Sequence, residues 1–266
     1  MYTFIYFSYK KDFYSLLKSV DTVICNFPDS YILVFEDPDN KFTEEQILIL
    51  SQKVLSISPH PLGFSPKNGN GKDNFKAQIK AYNLAIKETK AEFIIKIDSD
   101  TLINDRFNRY LNKDVDFIGT EVSYLGESKY IYGNLYVMSK KFVKKLADIT
   151  DCDFNKLNSD AKKYYAENRV IYGLSNILNV NKKIYSHDKG YVFNLDFISN
   201  VRIARSSNTK IINSFSLSEM NEYPSIHYWS SEKLIRYHKD RNFLLFYIIL
   251  LKKNFKNLMR YLVNKL

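Results

Sequence analysis

The chain has 266 residues, 45% hydrophobic and 15% aromatic, with only 8 glycines and 6 prolines, which excludes a disordered or fibrous chain and allows one large core or one domain with an appendage. No repeat at solenoid or propeller period is present. The net charge of +10 suggests a polyanionic partner, but residues 233–266 hold nine Lys or Arg and one Asp, leaving 30 bases against 28 acids before them.

In chain order, "TFIYFS" (3–8) and "YILVFED" (31–37) are short aromatic and β-branched runs that end in polar residues, as strands do. "TEEQILILSQKVLSIS" (43–58) has apolar residues at helical spacing behind a Thr with Glu close after it, so a capped helix is predicted there. Ser65 to Asn74 are rich in turn formers. "FKAQIKAYNLAIKETK" (75–90) places Phe75, Ile79, Tyr82 and Ile86 on one face of an amphipathic helix. The strand "EFIIKI" (92–97) follows. "VDFIGTEV" (115–122) and "YIYGNLYVMS" (130–139) read as extended. "KKFVKKLADI" (140–149) and "DAKKYYAENRVIYGLSNIL" (160–178) read as helices, and "KGYVFNLD" (189–196) and "SIHYW" (225–229) as late strands.

Alternating strands and helices predict an α/β fold, with a mostly parallel sheet flanked by helices. Ligands of such sheets bind beyond the carboxyl ends of the strands. Asp98 and Asp100 fall there, after the strand 92–97, as do Ser8 and Tyr9 after the first strand and Glu36 and Asp37 after the second. On an extended segment two such carboxylates point to one side, about 7 Å apart. Like charges this close repel unless a cation is present. Oxygen ligands suit Mg²⁺ or Mn²⁺, which take the rest of their shell from water and phosphate, so the pair is expected to hold a metal-bound diphosphate. The competing expectation is an Asx turn capping the segment after it.

These residues lie in a stretch that resembles a known family. "FKAQIKAYNLAIKETKAEFIIKIDSDTLI" is similar to the helix, strand and DxD unit of GT-A glycosyltransferases, whose helix carries an Ala-x-Asn, here Ala81-Tyr82-Asn83. "YGNLYVMSKKFVKKL" (132–146), "ENRVIYG" (167–173) and "SIHYWSSEKL" (225–234) resemble, in order, the acceptor-side segment, the two-acid block and the late His segment of fringe-like and related inverting transferases. The resemblance implies a catalytic domain over 1–232, with a nucleotide-binding half to about 105 and an acceptor half over 106–232. It implies that Asp98 faces the ribose and metal-bound water, that Asp100 binds Mn²⁺ or Mg²⁺ directly, and that His227 completes the protein's ligands, with His187 and His238 as rivals.

Tyr6, Ser8, Glu36, Asp37, Asn83 and Ser99 would lie along the base and ribose of the donor, a nucleotide-diphosphate sugar and by preference a UDP-sugar. Lys72 would assist the diphosphate from a glycine-rich loop. Inverting transfer needs a carboxylate to take the acceptor's proton. The family's second acid is replaced here by Asn168, which leaves Glu167 as the base, or else Asp160 or Glu121.

The last segment, 233–266, interleaves bases with "FLLFYIILL" (243–251). Nine apolar residues are too few for a bilayer, which needs about 20, but they suit an amphipathic helical tail on an anionic membrane surface. The expected acceptor is therefore a glycan or glycolipid, as in bacterial lipopolysaccharide or capsule assembly. No signal peptide is read at the start. Cys25 and Cys152 form no ligand spacing or disulfide framework, so buried thiols in a reducing compartment are expected. The expected location is cytoplasmic, on the inner face of the membrane. Two other classes compete. A sugar-phosphate nucleotidyltransferase would need a glycine-rich loop after the first strand, where "FSYKKDFYS" has none. A nucleic-acid-binding protein would use the basic tail; a nucleic-acid partner is not expected.

Overall fold

A computed structural model describes residues 1–61, 71–103, 105–122, 130–158, 161–162, 167–185, 193–194 and 225–227. The basic tail, Asp160, His187 and His238 lie outside the described residues.

The main sheet grows from β1 (Tyr2–Ser8), which pairs in parallel with β2 (Tyr31–Glu36) on one side and β4 (Phe93–Ile97) on the other. β3 (Ser56–Pro59) extends it in parallel beyond β2. On the far side of β4, β8 (Leu135–Ser139) runs antiparallel and is followed by β6 (Phe117–Val122) and β7 (Tyr130–Ile131); β9 (Lys182–Tyr185) pairs in parallel with β6. A second, small sheet joins β5 (Thr101–Ile103) to β11 (Ser225–His227) and β11 to β10 (Phe193–Asn194). The late strands expected from the sequence thus exist, and they form this second sheet.

Side-chain alternation divides the core between the two faces of the main sheet. One face carries Ile5, Leu33, Ile94, Tyr136 and Met138 against α3 (Gly71–Thr89), α4 (Lys140–Ala147) and α6 (Glu167–Ile177). The other carries Phe4, Tyr6, Val34, Ile95 and Ile97 against α1 (Phe13–Asn26). Ser139 caps α4, accepting from the Phe142 N–H at 3.0 Å, and the short α5 (Asp151–Asn155) precedes α6. No helix among the described residues is long and apolar enough to cross a membrane.

The structure differs from the sequence reading at several places. The helix expected over 43–58 is α2 (Glu44–Ser51) only. Its Thr43 capping box forms as expected, but Ser56 to Pro59 leave the helix to pair with Leu33 to Glu36. A parallel ladder with a buried neighbour outweighs helical spacing there. α1 was not read at all, although Phe13, Leu16, Val20 and Val23 recur at helical spacing and are buried. Finally, Cys25 and Cys152 are exposed free thiols, since each falls on the outer side of its helix.

Candidate active site

The two aspartates occupy a tight turn and not an extended segment. The Thr101 N–H donates to the Asp98 carbonyl at 3.0 Å, closing the turn Asp98-Ser99-Asp100-Thr101 between β4 and β5. The turn formers expected of an Asx motif are therefore present, yet the Asp98 side chain is turned to another use. Around the turn, three elements fix the backbone. The Asp98 N–H donates to the Asn134 carbonyl at 2.8 Å. The buried Ser99 hydroxyl donates to that of Ser8 at 2.9 Å, tying the turn to the end of β1. From α1, Ser19 donates to the Thr101 carbonyl, and the Thr22 hydroxyl accepts from the Ile103 N–H at 3.3 Å. The helix overlooked in the sequence thus seats the strand that leaves the turn.

The side chain of Asp98 meets a buried cation. Lys96 lies two residues earlier on β4 and so shares its face. Its Nζ donates to Asp98 Oδ1 at 2.6 Å and to the Gly133 carbonyl, and lies 3.6 Å from Glu167 Oε1, while its side chain is only 4% exposed. Burial alone would depress the lysine, but the Asp98 and Glu167 charges outweigh it and hold its pKa above the usual 10.5. Glu167 opens α6 and completes the cluster. Its Oε1 accepts from the hydroxyls of Tyr136 and, at 3.3 Å, Tyr82, and its Oε2 accepts from Gln78 Nε2 at 3.3 Å. The two tyrosines share a 2.7 Å hydrogen bond. Burial first, and the neighbouring Glu167 charge second, push both phenols well above their usual range. A charge this deep is costly unless paired and hydrogen-bonded, and here β4, β8, α3 and α6 each supply part of the pairing.

Several expected site residues are placed elsewhere or in other roles. Tyr6 is fully buried, its hydroxyl 2.8 Å from that of Ser19; it fills the α1-side core and offers a nucleotide no surface. Asp37 is 3% exposed and caps its own turn, accepting from the Asp39 N–H and Asn40 Nδ2. Glu36 accepts from the Phe42 N–H at 3.1 Å, which holds the entrance to α2. Lys72 belongs to the first turn of α3, where its ammonium pairs with Asp151 at 3.0 Å and sits over the Phe154 ring. Ser8 does reach the aspartate turn, through Ser99. Asn83 is half-buried on α3, and Glu121 lies on β6 in register with Ile131. Both oxygens of Glu167 accept hydrogen bonds, so it anchors Tyr136, Tyr82 and Gln78 around the buried lysine. Asn168 donates to the Ile131 carbonyl at 2.9 Å and packs beneath Gly133.

Sequence reasoning missed Lys96, Tyr136, Tyr82 and Gln78. The signal for Lys96 was a single charge inside the otherwise apolar "FIIKI", two residues from an aspartate on the same face.

The fit of a metal rests on the donor set. Asp98 and Asp100 are both partly exposed at the sheet's carboxyl edge, and the β11 ladder sets the backbone of residue 227 opposite Thr101, next to Asp100. Among the described residues no group of three or more His, Cys, Asp or Glu side chains could by itself hold a metal. Two carboxylates are hard oxygen donors of the kind that suits Mg²⁺ or Mn²⁺, ions that take further ligands from water and phosphate.

The fold is similar to that of solved glycosyltransferases. The galactosyltransferase LgtC, in complex with donor and acceptor sugar analogues, matches with a TM-score of 0.52 at 10% identity, over 86% of this chain and 87% of that one. The bifunctional glycosyltransferase WbbM in its apo form matches at 0.53 and 11% identity, over 87% of this chain and 46% of that one. The glycosyltransferase GlyE of Streptococcus pneumoniae matches at 0.50 and 13% identity, over 87% and 55%. No protein-family model and no curated protein matches the sequence. The chain therefore has a GT-A-like glycosyltransferase fold, with a central, mostly parallel sheet flanked by helices.

Proposed function

We propose that the protein is a glycosyltransferase that moves a sugar from a nucleotide-diphosphate donor, by preference a UDP-sugar, to a glycan or glycolipid acceptor. The observation that carries this reading is the Asp98–Asp100 turn at the carboxyl end of the central strand β4, tied through Ser99 to the end of β1, on a fold shared with sugar-transferring enzymes. In this reading Asp100, with His227, holds Mn²⁺ or Mg²⁺. When bound, the metal supplies Lewis-acid stabilisation of the departing diphosphate. Asp98 turns one oxygen inward to Lys96 and leaves the other for the donor's ribose. Ser99 and Ser8 hold the turn's backbone in place, and Asn83 faces the nucleotide from α3.

We assign inverting chemistry on the strength of the ordered sequence blocks 132–146, 167–173 and 225–234. The acceptor's proton then goes to Glu167, or else to Asp160 or Glu121. The basic, apolar segment 233–266 supports attachment to an anionic membrane face and hence a lipid-linked acceptor of the lipopolysaccharide or capsule kind. A cleft of about 580 Å³ lined by Lys113, Lys140, Lys141, Lys144 and Lys145 adds basic surface at the opposite end of β4 from the aspartates.

The test is thermal stabilisation by UDP with and without Mn²⁺, followed by mass-spectrometric scoring of hydrolysis across a panel of nucleotide sugars. A rise in melting temperature that needs both UDP and metal, with turnover of one donor class, is expected. No metal-dependent gain with any nucleotide would overturn the reading.

A further inference from the structure

We infer that Lys96 sets the divalent-cation affinity of the Asp98–Asp100 turn, keeping it low until a nucleotide diphosphate brings its own negative charge. The inference rests on the metal-bound diphosphate reading above and concerns the order in which that site fills.

The physical case begins with position. Lys96 Nζ is 2.6 Å from Asp98 Oδ1 and its side chain is 4% exposed, so salt and water screen it far less than a surface lysine. One of the two carboxylates offered to a metal is thus already paired with a cation of the chain itself. A hard divalent ion sheds its water only where ligand charge compensates the cost. Lys96, Asp98, Asp100 and Glu167 together carry one positive and three negative formal charges, a net of −2 at neutral pH. Part of that sits behind the lysine, where Glu167 Oε1 is 3.6 Å from Nζ. Glu167 is in turn fixed by Tyr136, Tyr82 and Gln78, which carry no charge to compete for the metal. A diphosphate that arrives with its ion adds the charge the turn lacks.

A buried pair kept only for stability is replaceable by apolar groups at little cost. The position of this one on the face of the aspartate turn gives it electrostatic reach over the incoming ion. Lys96 is a positioning and charge-setting residue; it does not touch the reacting atoms.

The experiment measures Mn²⁺ binding directly, by electron paramagnetic resonance of the free ion, on the full chain with and without UDP. Lys96→Met removes one positive charge and is expected to bind Mn²⁺ about tenfold more tightly in the absence of UDP, with a smaller further gain when UDP is added. Glu167→Gln removes one negative charge and is expected to bind about tenfold more weakly. The double variant restores the net charge and is expected near the parent value. Damage to the fold would weaken binding in every variant, so opposite signs in the two single variants support the inference. Equal or weaker binding by Lys96→Met overturns it. If that variant does not fold, an unchanged affinity in Glu167→Gln overturns it instead. A parent protein that binds no Mn²⁺ even with UDP overturns the metal reading itself, whereas a parent that binds with UDP and variants that leave the affinity unmoved overturn only the role of Lys96.

Discussion

Lys96 donates to Asp98 across 2.6 Å from a side chain that is almost wholly buried, so the first aspartate of the turn is held by a cation of its own strand. The Asp98 carboxylate therefore enters any metal site already paired with a cation of the chain.

In the proposed reading Asp100 is the residue that binds the metal directly. Asp100→Asn keeps size and hydrogen bonding but removes the charge, and several kcal/mol of stabilisation at about 1.4 kcal/mol per tenfold means a fall in transfer of at least about a hundredfold. Transfer is scored by mass spectrometry and folding by melting temperature. Normal turnover in this variant would remove the metal from the mechanism.

Tyr136→Phe takes away the hydroxyl that Glu167 and Tyr82 share. A half-buried carboxylate losing a donor is expected to cost about 1–3 kcal/mol, read as a lower urea midpoint. Tyr82→Phe is expected to cost less: both variants lose the 2.7 Å bond between the tyrosines, and Tyr82 gives up besides it only the longer 3.3 Å contact to Glu167. An equal loss in both variants would place the anchoring elsewhere.

Alkaline pH is expected to unfold the protein through its tyrosines. Tyr6, Tyr82 and Tyr136 are raised above the usual value of 10.0 by burial, so the unfolded chain gives up these protons before the folded one does. The stability they contribute is complete below about pH 10 and is lost as pH rises from there toward their folded values. Phenolate absorbance and circular dichroism followed together should show these phenols ionising only as the fold is lost. Early ionisation with the fold intact would contradict their burial.

Gly119→Ala tests the packing of β6 against β7. A methyl group there would lie 2.9 Å from Ile131 Cγ2 and 3.3 Å from its Cβ. Ile131 is a β-branched strand residue with little freedom to withdraw, so overpacking should cost about 1–3 kcal/mol and lower the melting temperature. An unchanged melting temperature would mean that β7 yields easily.

Truncation after Arg241 removes the apolar run and five of the nine bases counted from Lys233 onward. At about 1 kcal/mol for each base near an anionic surface, this should release the protein from vesicles containing phosphatidylserine in a sedimentation assay. Unchanged sedimentation would refute the membrane role of that segment.

The sheet and the aspartate turn were legible in the sequence because strand alternation, helical spacing and strand-end polarity are local signals. β1, β2, β4, β8 and α3 lie close to where their apolar patterns place them. What stayed hidden was non-local. Lys96 and Glu167 are 71 positions apart, and only the antiparallel entry of β8 and the start of α6 bring them within 3.6 Å. Glu167 read equally well as a base or an exposed helix residue, because its three neutral donors come from two other elements. Tyr6 stood at a strand end facing, on pattern alone, the ligand edge, while the contact that buries it comes from Ser19 on a helix that was overlooked. The DxD triplet was placed rightly after its strand, but the turn that closes it depends on a hydrogen bond spacing cannot reveal.

The position of β4 between β1 and β8 has a consequence for biosynthesis. Its neighbour β1 is made about ninety residues before it, while β8 is made some forty residues after it. As the nascent chain emerges, β4 therefore acquires one partner at once and waits for the other. During that wait a wholly apolar strand, apart from Lys96, has an open edge able to pair with another polypeptide. The buried lysine then stands as a gatekeeper charge against self-association during synthesis, before any partner carboxylate from α6 exists to receive it.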